Sequence, residues 1–413
     1  MKAQALGIIA DDLTGAMDSS GHLASLGLST AVILDSGFDL TADVVVIDTN
    51  SRADDANTAR EKVRQAVRNL RRRIVYKKID SALRGNIGVE LKEIIEELAP
   101  EKVIVAPAFP AVGRTTLNGT MLVEGIDIAE TQFASEPVSP VKESHIPSLL
   151  EQSIQRPVGC VPVKYIDAGP EALYREISRM SQDILVCDVI TQSQLNCIAQ
   201  TAALAKGYWL LCGSGGLARE LHLLLTRVPV VRKTLPSNLL PGPVLTVVGT
   251  RNQVTADQLL KAKDKLGLPI LNLEVGHIKE KDISPAVVAQ IVDEADFLLS
   301  QGTGLAISSV FSHYVSTLEQ SVAAIMAEAA IAILALRKFA GIFLSGGDIA
   351  IEVCRRLSVS AILVHGEIEP GVPAGEIIGG QGQGMRIVTK AGSFGTETAL
   401  IKSILYLEKG NLP

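Results

Sequence analysis

Short apolar runs alternate with amphipathic stretches along most of this chain. Residues 5–9, 31–34, 44–48, 74–77 and 103–106 read as buried strands. Between them, residues 58–73 and 89–98 have the spacing of helices with charged outer faces. Residues 113–147 break the pattern: they are polar, carry Pro137 and Pro140, and read as a long excursion of the kind that often serves function. Alternation resumes with strands at 183–188 and 207–212. Residues 229–243 then lose apolar periodicity and carry Pro236, Pro241 and Gly242, which marks a domain boundary. A second run of strands is expected near 244–249, 270–273, 297–300, 342–345, 361–364 and 386–389, with helices near 253–266, 318–337, 349–357 and 397–407. Strands alternating with helices predict βα units on parallel sheets. The fold class is therefore α/β: two unlike α/β domains, residues 1–232 and 233–413, with mainly parallel sheets and an active-site cleft between them.

Composition narrows the function. With 47% hydrophobic and 20% charged residues the chain has the balance of a globular protein. A net charge of −6 argues against a nucleic-acid partner, which calls for a basic excess, but leaves room for a small anion in a basic pocket. The five cysteines are scattered, without CxxC spacing or a cysteine–histidine cluster, so neither a disulfide framework nor a zinc site is expected. The chain opens on a strand pattern rather than a signal peptide. Its longest apolar stretch, 322–336, is interrupted by Glu328 and reads as a buried helix. A cytoplasmic protein without a membrane partner is the expectation.

Candidate chemistry gathers at the strand ends. The first strand runs into Ala10-Asp11-Asp12-Leu13-Thr14-Gly15-Ala16, which places two adjacent carboxylates where open α/β sheets bind ligands. Neighbouring carboxylates repel, so they call for a metal ion, a basic side chain or a substrate hydroxyl; the alternative is a solvated turn in which Asp12 caps the next helix. The strand at 74–77 leads into Lys78-Ile79-Asp80-Ser81-Ala82-Leu83-Arg84-Gly85-Asn86. Lys78, Ser81, Arg84 and Asn86 supply donors within a short span, and Arg84 offers a fork suited to carboxylate or phosphate, with Asp80 ordering that fork or holding a hydroxyl. The loop after 103–106 adds Arg114. An acidic strand end beside a basic one suits a polyhydroxy acid.

In the second half, glycine-containing loops follow three strands: Ser345-Gly346-Gly347-Asp348, then 366–375, then Lys390-Ala391-Gly392-Ser393-Phe394-Gly395. Glycine lets backbone N–H groups approach a phosphate, so these loops point to a nucleotide. Neither GxxxxGK[ST] nor the HRD and DFG signatures of protein kinases occur. One GxGxxA run, 213–218, fits a dinucleotide fingerprint but lacks the acidic residue about 20 positions on. It leaves open a NAD-dependent dehydrogenase of a small hydroxy acid. A non-catalytic sugar-acid sensor is the other alternative.

Taken in order, ADDLTGA (10–16), KxDSALRGN (78–86), PAFPxxGR (107–114), GSGGLA (213–218), SGGD (345–348), EPGVPAG (369–375) and TKAGSFG (389–395) resemble the four-carbon acid-sugar kinase family over nearly the whole chain. The resemblance implies an N-terminal domain for the sugar acid and a C-terminal domain for ATP. It implies phosphoryl transfer, with ATP and Mg²⁺, to a hydroxyl of threonate, erythronate or an oxo-tetronate. On it, Asp12 or Asp11 is the expected base, Asp12 preferred, with the other aspartate orienting substrate or binding Mg²⁺ through water. Lys78, Asp80, Ser81, Arg84, Asn86 and Arg114 are the expected acid-sugar contacts. Thr250, Gly346, Gly347, Asp348, Gly366, Glu367, Gly371, Val372, Pro373, Lys390, Gly392 and Gly395 are the expected nucleotide contacts, Asp348 through a metal or a ribose. Where the family has a serine-rich loop, this chain has Gly249-Thr250-Arg251-Asn252-Gln253, in which Thr250 keeps a hydroxyl. A homodimer is one expectation for the oligomeric state, which the sequence leaves open.

Overall fold

The computed structural model describes residues 5–38, 40–136, 139–225, 240–250, 252–273, 285–302, 304–311, 319–410 and 412. Most of the stretch read as the domain boundary, including the 232/233 division, lies outside the described residues, as do Pro137 and Arg251. In chain order the strands are β1 (Leu6–Ala10), β2 (Thr30–Ile33), β3 (Val44–Asp48), β4 (Ile74–Lys78), β5 (Lys102–Ala106), β6 (Arg114–Leu117), β7 (Thr120–Val123), β8 (Ile126–Asp127) and β9 (Val158–Val161). They continue with β10 (Ile184–Cys187), β11 (Trp209–Gly213), β12 (Val244–Val248), β13 (Ile270–Asn272), β14 (Gly304–Ser308), β15 (Gly341–Ser345), β16 (Ala361–Glu369), β17 (Val372–Ile378) and β18 (Arg386–Lys390).

The chain divides into two compact units, residues 1–19 with 39–230 and residues 20–38 with 231–413. In the first, β3-β1-β4-β11-β5-β10-β9 form a parallel sheet. Its strands are buried on both faces, which is why they read as unbroken apolar runs such as LGIIA and KVIVA. Helices follow the strands as expected; Ala56–Leu70 is capped by Asp55, whose side chain accepts the N–H groups of Asn57 and Thr58 at 2.9 and 3.1 Å. Register sets the functional edge. Ala10 stands opposite both Asp48 and Lys78, and Lys78 opposite Gly213, so the segments that leave β1, β3, β4 and β11 all start from one row. The polar excursion contributes a small antiparallel sheet, β6-β7-β8.

In the second unit, β13-β14-β12-β15-β18 are parallel, followed by antiparallel β17, β16 and β2. Val248, Ser345 and Lys390 share a register row, which brings the loops after β12, β15 and β18 to one edge. Residues 20–38, within the range read as the first domain, belong to this unit, where β2 pairs with β16.

Two readings are corrected here. Residues 297–300 are not a strand but the last turns of the helix Pro285–Gln301, and the strand lies at β14. A short apolar run carries no period that separates helix from strand, and Phe297 is exposed. Residues 366–375 are not a loop that follows a strand: Gly366 and Glu367 lie within β16, Val372 and Pro373 within β17, and the turn of this antiparallel hairpin is at Gly371, with φ +79°.

Candidate active site

The two strand-end aspartates of the first unit do meet a partner, and it is one the sequence reading missed. Arg52 leaves β3 on a loop held to β1 by the N–H groups of Ser51 and Arg52, which donate to the Asp11 carbonyl at 3.0 and 3.2 Å. Its Nε and Nη2 donate to Asp11 Oδ2 and Oδ1, both at 2.9 Å, and its Nη1 and Nη2 donate to Asp12 Oδ2 and Oδ1, both at 2.8 Å. One guanidinium therefore grips two carboxylates, each through two bonds. Burial opposes the charge on Asp11, yet Arg52 outweighs it and holds the Asp11 carboxyl below its ordinary range. Burial likewise opposes the charge on Arg52, and Asp11 and Asp12 raise it well above the ordinary value.

The two aspartates are not equivalent. Asp11 is 2% exposed, with both oxygens engaged by Arg52. Asp12 is half-buried, and its Oδ1 also accepts the Gly15 N–H at 2.9 Å, at the start of the helix Leu13–Ser25. The capping reading of Asp12 thus holds, and the same carboxylate faces Arg52. The signal that pointed to Arg52 was positional: it stands four residues beyond the end of β3, the strand beside β1.

Asp48, the last residue of β3, is a third carboxylate here that the sequence reading left inside a strand. Its Oδ1 accepts the Asn50 N–H at 2.9 Å, while its buried Oδ2 has no hydrogen-bond partner. Burial, then the charges of Asp12 and Asp11, push its pKa up to about 7.

Of the residues read as basic contacts, Lys78 is 4% exposed, and its Nζ donates to the Ile79 carbonyl at 3.0 Å. Among the described residues no carboxylate lies within ion-pair distance of it, so an ammonium with donors to spare stands beside Gly15 and Asp12. A Cβ on Gly15 would lie 2.8 Å from Lys78 Nζ and 2.6 Å from Asp12 Oδ1. Its neighbour Lys77 is fully buried against Glu90 at 2.5 Å; Glu90 accepts the Ser51 hydroxyl at 2.6 Å, which steadies the loop carrying Arg52. Arg84 donates through Nε to Asp80 at 2.6 Å. Burial opposes the charge on Asp80, but Arg84 and then Arg52 hold its carboxyl well below the usual range.

Arg114 differs from Arg84. Its guanidinium donates to the Ser81 hydroxyl and lies 5.1 Å over the Phe133 ring, with no carboxylate in ion-pair distance among the described residues. Burial pushes its pKa down, Asp80 draws it up, and Arg84 and Arg52 push it down again. Asn86 is committed elsewhere: its amide donates to the carbonyls of Ser51 and Asp54 at 3.0 and 2.9 Å, tying down the Arg52 loop. Gly85, at φ +91°, passes so close that a Cβ would lie 3.1 Å from the Arg52 side chain and 3.3 Å from Asp11 Oδ2.

The GSGGLA run is a packing device. A Cβ on Gly213 would lie 2.4 Å from the Ala106 carbonyl, on Gly215 2.1 Å from the Asp18 carboxylate, and on Gly216 2.5 Å from the Ala108 carbonyl. These glycines are required by close packing on neighbouring protein atoms, without a ligand.

In the second unit the loops after β12, β15 and β18 come together. A Cβ on Gly392 would meet Thr250 Oγ1 at 2.2 Å, and one on Gly346 would lie 3.6 Å from the Thr250 nitrogen. Gly346 precedes the helix Gly347–Arg356, with Asp348 in its first turn. Lys390 closes β18, 1% exposed; burial pushes its pKa down to about 7. Gly371 packs on Phe394 and Val372 on Gly395 of this group. Gly366 and Glu367 stand instead against Ser25, whose hydroxyl accepts the Glu367 N–H at 3.1 Å.

Comparison with known proteins finds two family domains along the chain. A model of a sugar-binding N-terminal domain matches residues 6–221, and one of a nucleotide-binding C-terminal domain matches residues 245–400. The chain is 30% identical to the D-threonate kinase of Salmonella typhimurium over 97% of this chain and 98% of that one. It is 29% identical to the D-erythronate kinase of Heliobacterium modesticaldum over 97% and 96%. A crystal structure from Salmonella typhimurium LT2 shares the fold with a TM-score of 0.83 at 24% identity, covering 97% of this chain and 98% of its own. The chain belongs to the four-carbon acid-sugar kinase family, phosphotransferases whose acceptor is an alcohol group.

Proposed function

We propose that the protein phosphorylates a hydroxyl of a tetronate with ATP and Mg²⁺, the acid held at the β1/β3/β4 strand ends and the nucleotide at the β12/β15/β18 loops. The observation that carries this reading is Arg114, a half-buried guanidinium with no carboxylate within ion-pair distance among the described residues, within electrostatic reach of Arg52 and so of the pair of carboxylates that Arg52 neutralises. A polyhydroxy acid satisfies both: its carboxylate pairs with Arg114, with Lys78 as a second cation, and a hydroxyl donates to Asp12. Arg84 serves as Asp80's partner rather than as the principal carboxylate clamp. Asp12 takes the hydroxyl proton, because Asp11 is 2% exposed while Asp12, held by Arg52 through two bonds in the same way, retains exposure. Asn86 and Glu90 keep the Arg52 loop in place.

The second unit fits a nucleotide through its glycine-rich loops and the helix opening at Gly347, where backbone N–H groups favour an anion. Bound there, ATP supplies the phosphoryl group. Mg²⁺ usually takes one or two carboxylates together with phosphate oxygens, a role that Asp348 suits by its place in the first turn. Positioning and charge neutralisation supply most of the catalysis in phosphoryl transfer. The cytoplasm, where ATP is available, suits five cysteines that are all free thiols.

The test is ADP release across D-threonate, L-threonate, D-erythronate and 3-oxo-tetronates, beginning with D-threonate, the acid named for the relative at 30% identity. ADP formed with at least one tetronate, and dependent on Mg²⁺, supports the reading. No ADP with any of them, or nicotinamide reduction in its place, refutes it.

A further inference from the structure

Lys390 was expected to contact the nucleotide, but its ammonium is engaged by the protein itself. It donates to Thr255 Oγ1 at 2.7 Å and to the carbonyls of Ala391, Gly392 and Phe394, each at 3.1 Å. Four acceptors surround a group with three N–H bonds, so none remains for a phosphate. The helix Gln253–Leu266 completes the cage. Thr255 Oγ1 donates to the Gly392 carbonyl at 2.7 Å, and Gln258 Nε2 donates to the carbonyls of Phe394, Gly395 and Thr396 at 3.2, 3.2 and 2.8 Å.

The carbonyls of residues 391, 392, 394, 395 and 396 are thus all drawn inward. In a trans peptide the N–H of the next residue points opposite to the carbonyl. The N–H groups of Gly392, Ser393 and Gly395 are therefore turned the other way, away from Lys390. The Thr396 N–H is taken by Glu369 at 2.7 Å, and the Phe394 N–H by the Ala391 carbonyl at 3.1 Å. A run of outward N–H groups is a cradle for an anion.

We propose that Lys390 and Gln258 are positioning residues that shape the 391–396 loop into a phosphate cradle, with the lysine serving as an internal hydrogen-bond donor that never touches the nucleotide. The proposal rests on the reading of this unit as the nucleotide site.

It is tested with Lys390→Met and Gln258→Leu in the full chain. Steady-state kinetics are expected to show KM for ATP raised roughly 10- to 100-fold by Lys390→Met and less by Gln258→Leu, with KM for the tetronate unchanged. The double variant is expected to lose less than the product of the two effects, since both act on one loop conformation. Hydrogen exchange of the nucleotide-free protein supplies the readout that a direct contact would not move. Lys390→Met should speed exchange at the amides of Phe394 and Thr396 before any ligand is added. Unchanged exchange in the free protein together with a raised KM for ATP would make Lys390 a direct phosphate contact and overturn the proposal. An unchanged KM for ATP in both variants would overturn it as well. Failure of the wild type to release ADP would instead refute the nucleotide reading, a distinct result.

Discussion

The first unit and the second each place their chemistry at the carboxyl ends of parallel strands, yet they build it from different material. At β1, β3 and β4 the site is made of charged side chains: Arg52 on Asp11 and Asp12, Arg84 on Asp80, Lys77 on Glu90. At β12, β15 and β18 it is made of backbone, with glycines that let loops touch and one lysine enclosed by carbonyl oxygens. On the proposed function, the difference follows from what each would hold. A small acid with several hydroxyls needs donors and acceptors at fixed points, which ion pairs supply by holding one another in place. A polyphosphate needs many N–H groups pointing one way, which a loop supplies once its carbonyls are tied back.

The sharpest way to break this comparison is at Asp12. Asp12→Asn keeps the Gly15 cap, since the amide oxygen can still accept, but removes the proton acceptor. Turnover is expected to fall about 10²- to 10⁴-fold, with a smaller loss of thermal stability because the amide NH₂ cannot accept from Arg52 Nη1. Asp11→Asn with a larger loss than Asp12→Asn would reverse the roles given to the two aspartates.

Next in size is Arg52→Met. It leaves two adjacent carboxylates, one of them buried, without their shared cation, and is expected to destabilise the protein by about 3–5 kcal/mol in urea unfolding. A loss under about 1 kcal/mol would mean that water or another cation already balances the pair.

The smallest effect is at Asp48. Its folded pKa of about 7 lies above the ordinary 3.8, so the folded protein keeps a proton that the unfolded chain releases. Wild-type stability from this group is therefore complete below about pH 4 and declines as pH rises to about 7. Asp48→Asn removes that decline, for a gain on the order of 1–3 kcal/mol at neutral pH that shrinks toward zero near pH 4. A gain that does not vary with pH, measured by urea unfolding across this range, would show that Asp48 is charged in the folded protein.

Much of this was legible in the chain, and what was not has physical causes. Strands buried on both faces, such as β1, β5 and β15, announce themselves as apolar runs. β17 did not, because Val372-Pro373-Ala374-Gly375 carries the residues of a turn while pairing as a strand. Asp11, Asp12 and Lys78 were visible because an apolar run led straight to them. Arg52 was not, since Ser51-Arg52-Ala53-Asp54-Asp55 has the look of a solvated surface turn, and only the pairing of β3 with β1 brings its guanidinium to the aspartates. Asn86 and Lys390 were found by residue type, but spacing along a chain does not reveal which way an amide or an ammonium points: Asn86 donates to Ser51 and Asp54, and Lys390 to Thr255 and its own loop.

The contrast between a side-chain site and a backbone site is tested most directly by crossed kinetics on Arg114→Met and Lys390→Met, with KM measured for both substrates in each variant. Arg114→Met is expected to raise KM for the tetronate roughly 10- to 100-fold and leave KM for ATP unchanged, while Lys390→Met does the reverse. A raised KM for ATP in Arg114→Met, with tetronate binding intact, would contradict the assignment of the acid to the first unit and the nucleotide to the second.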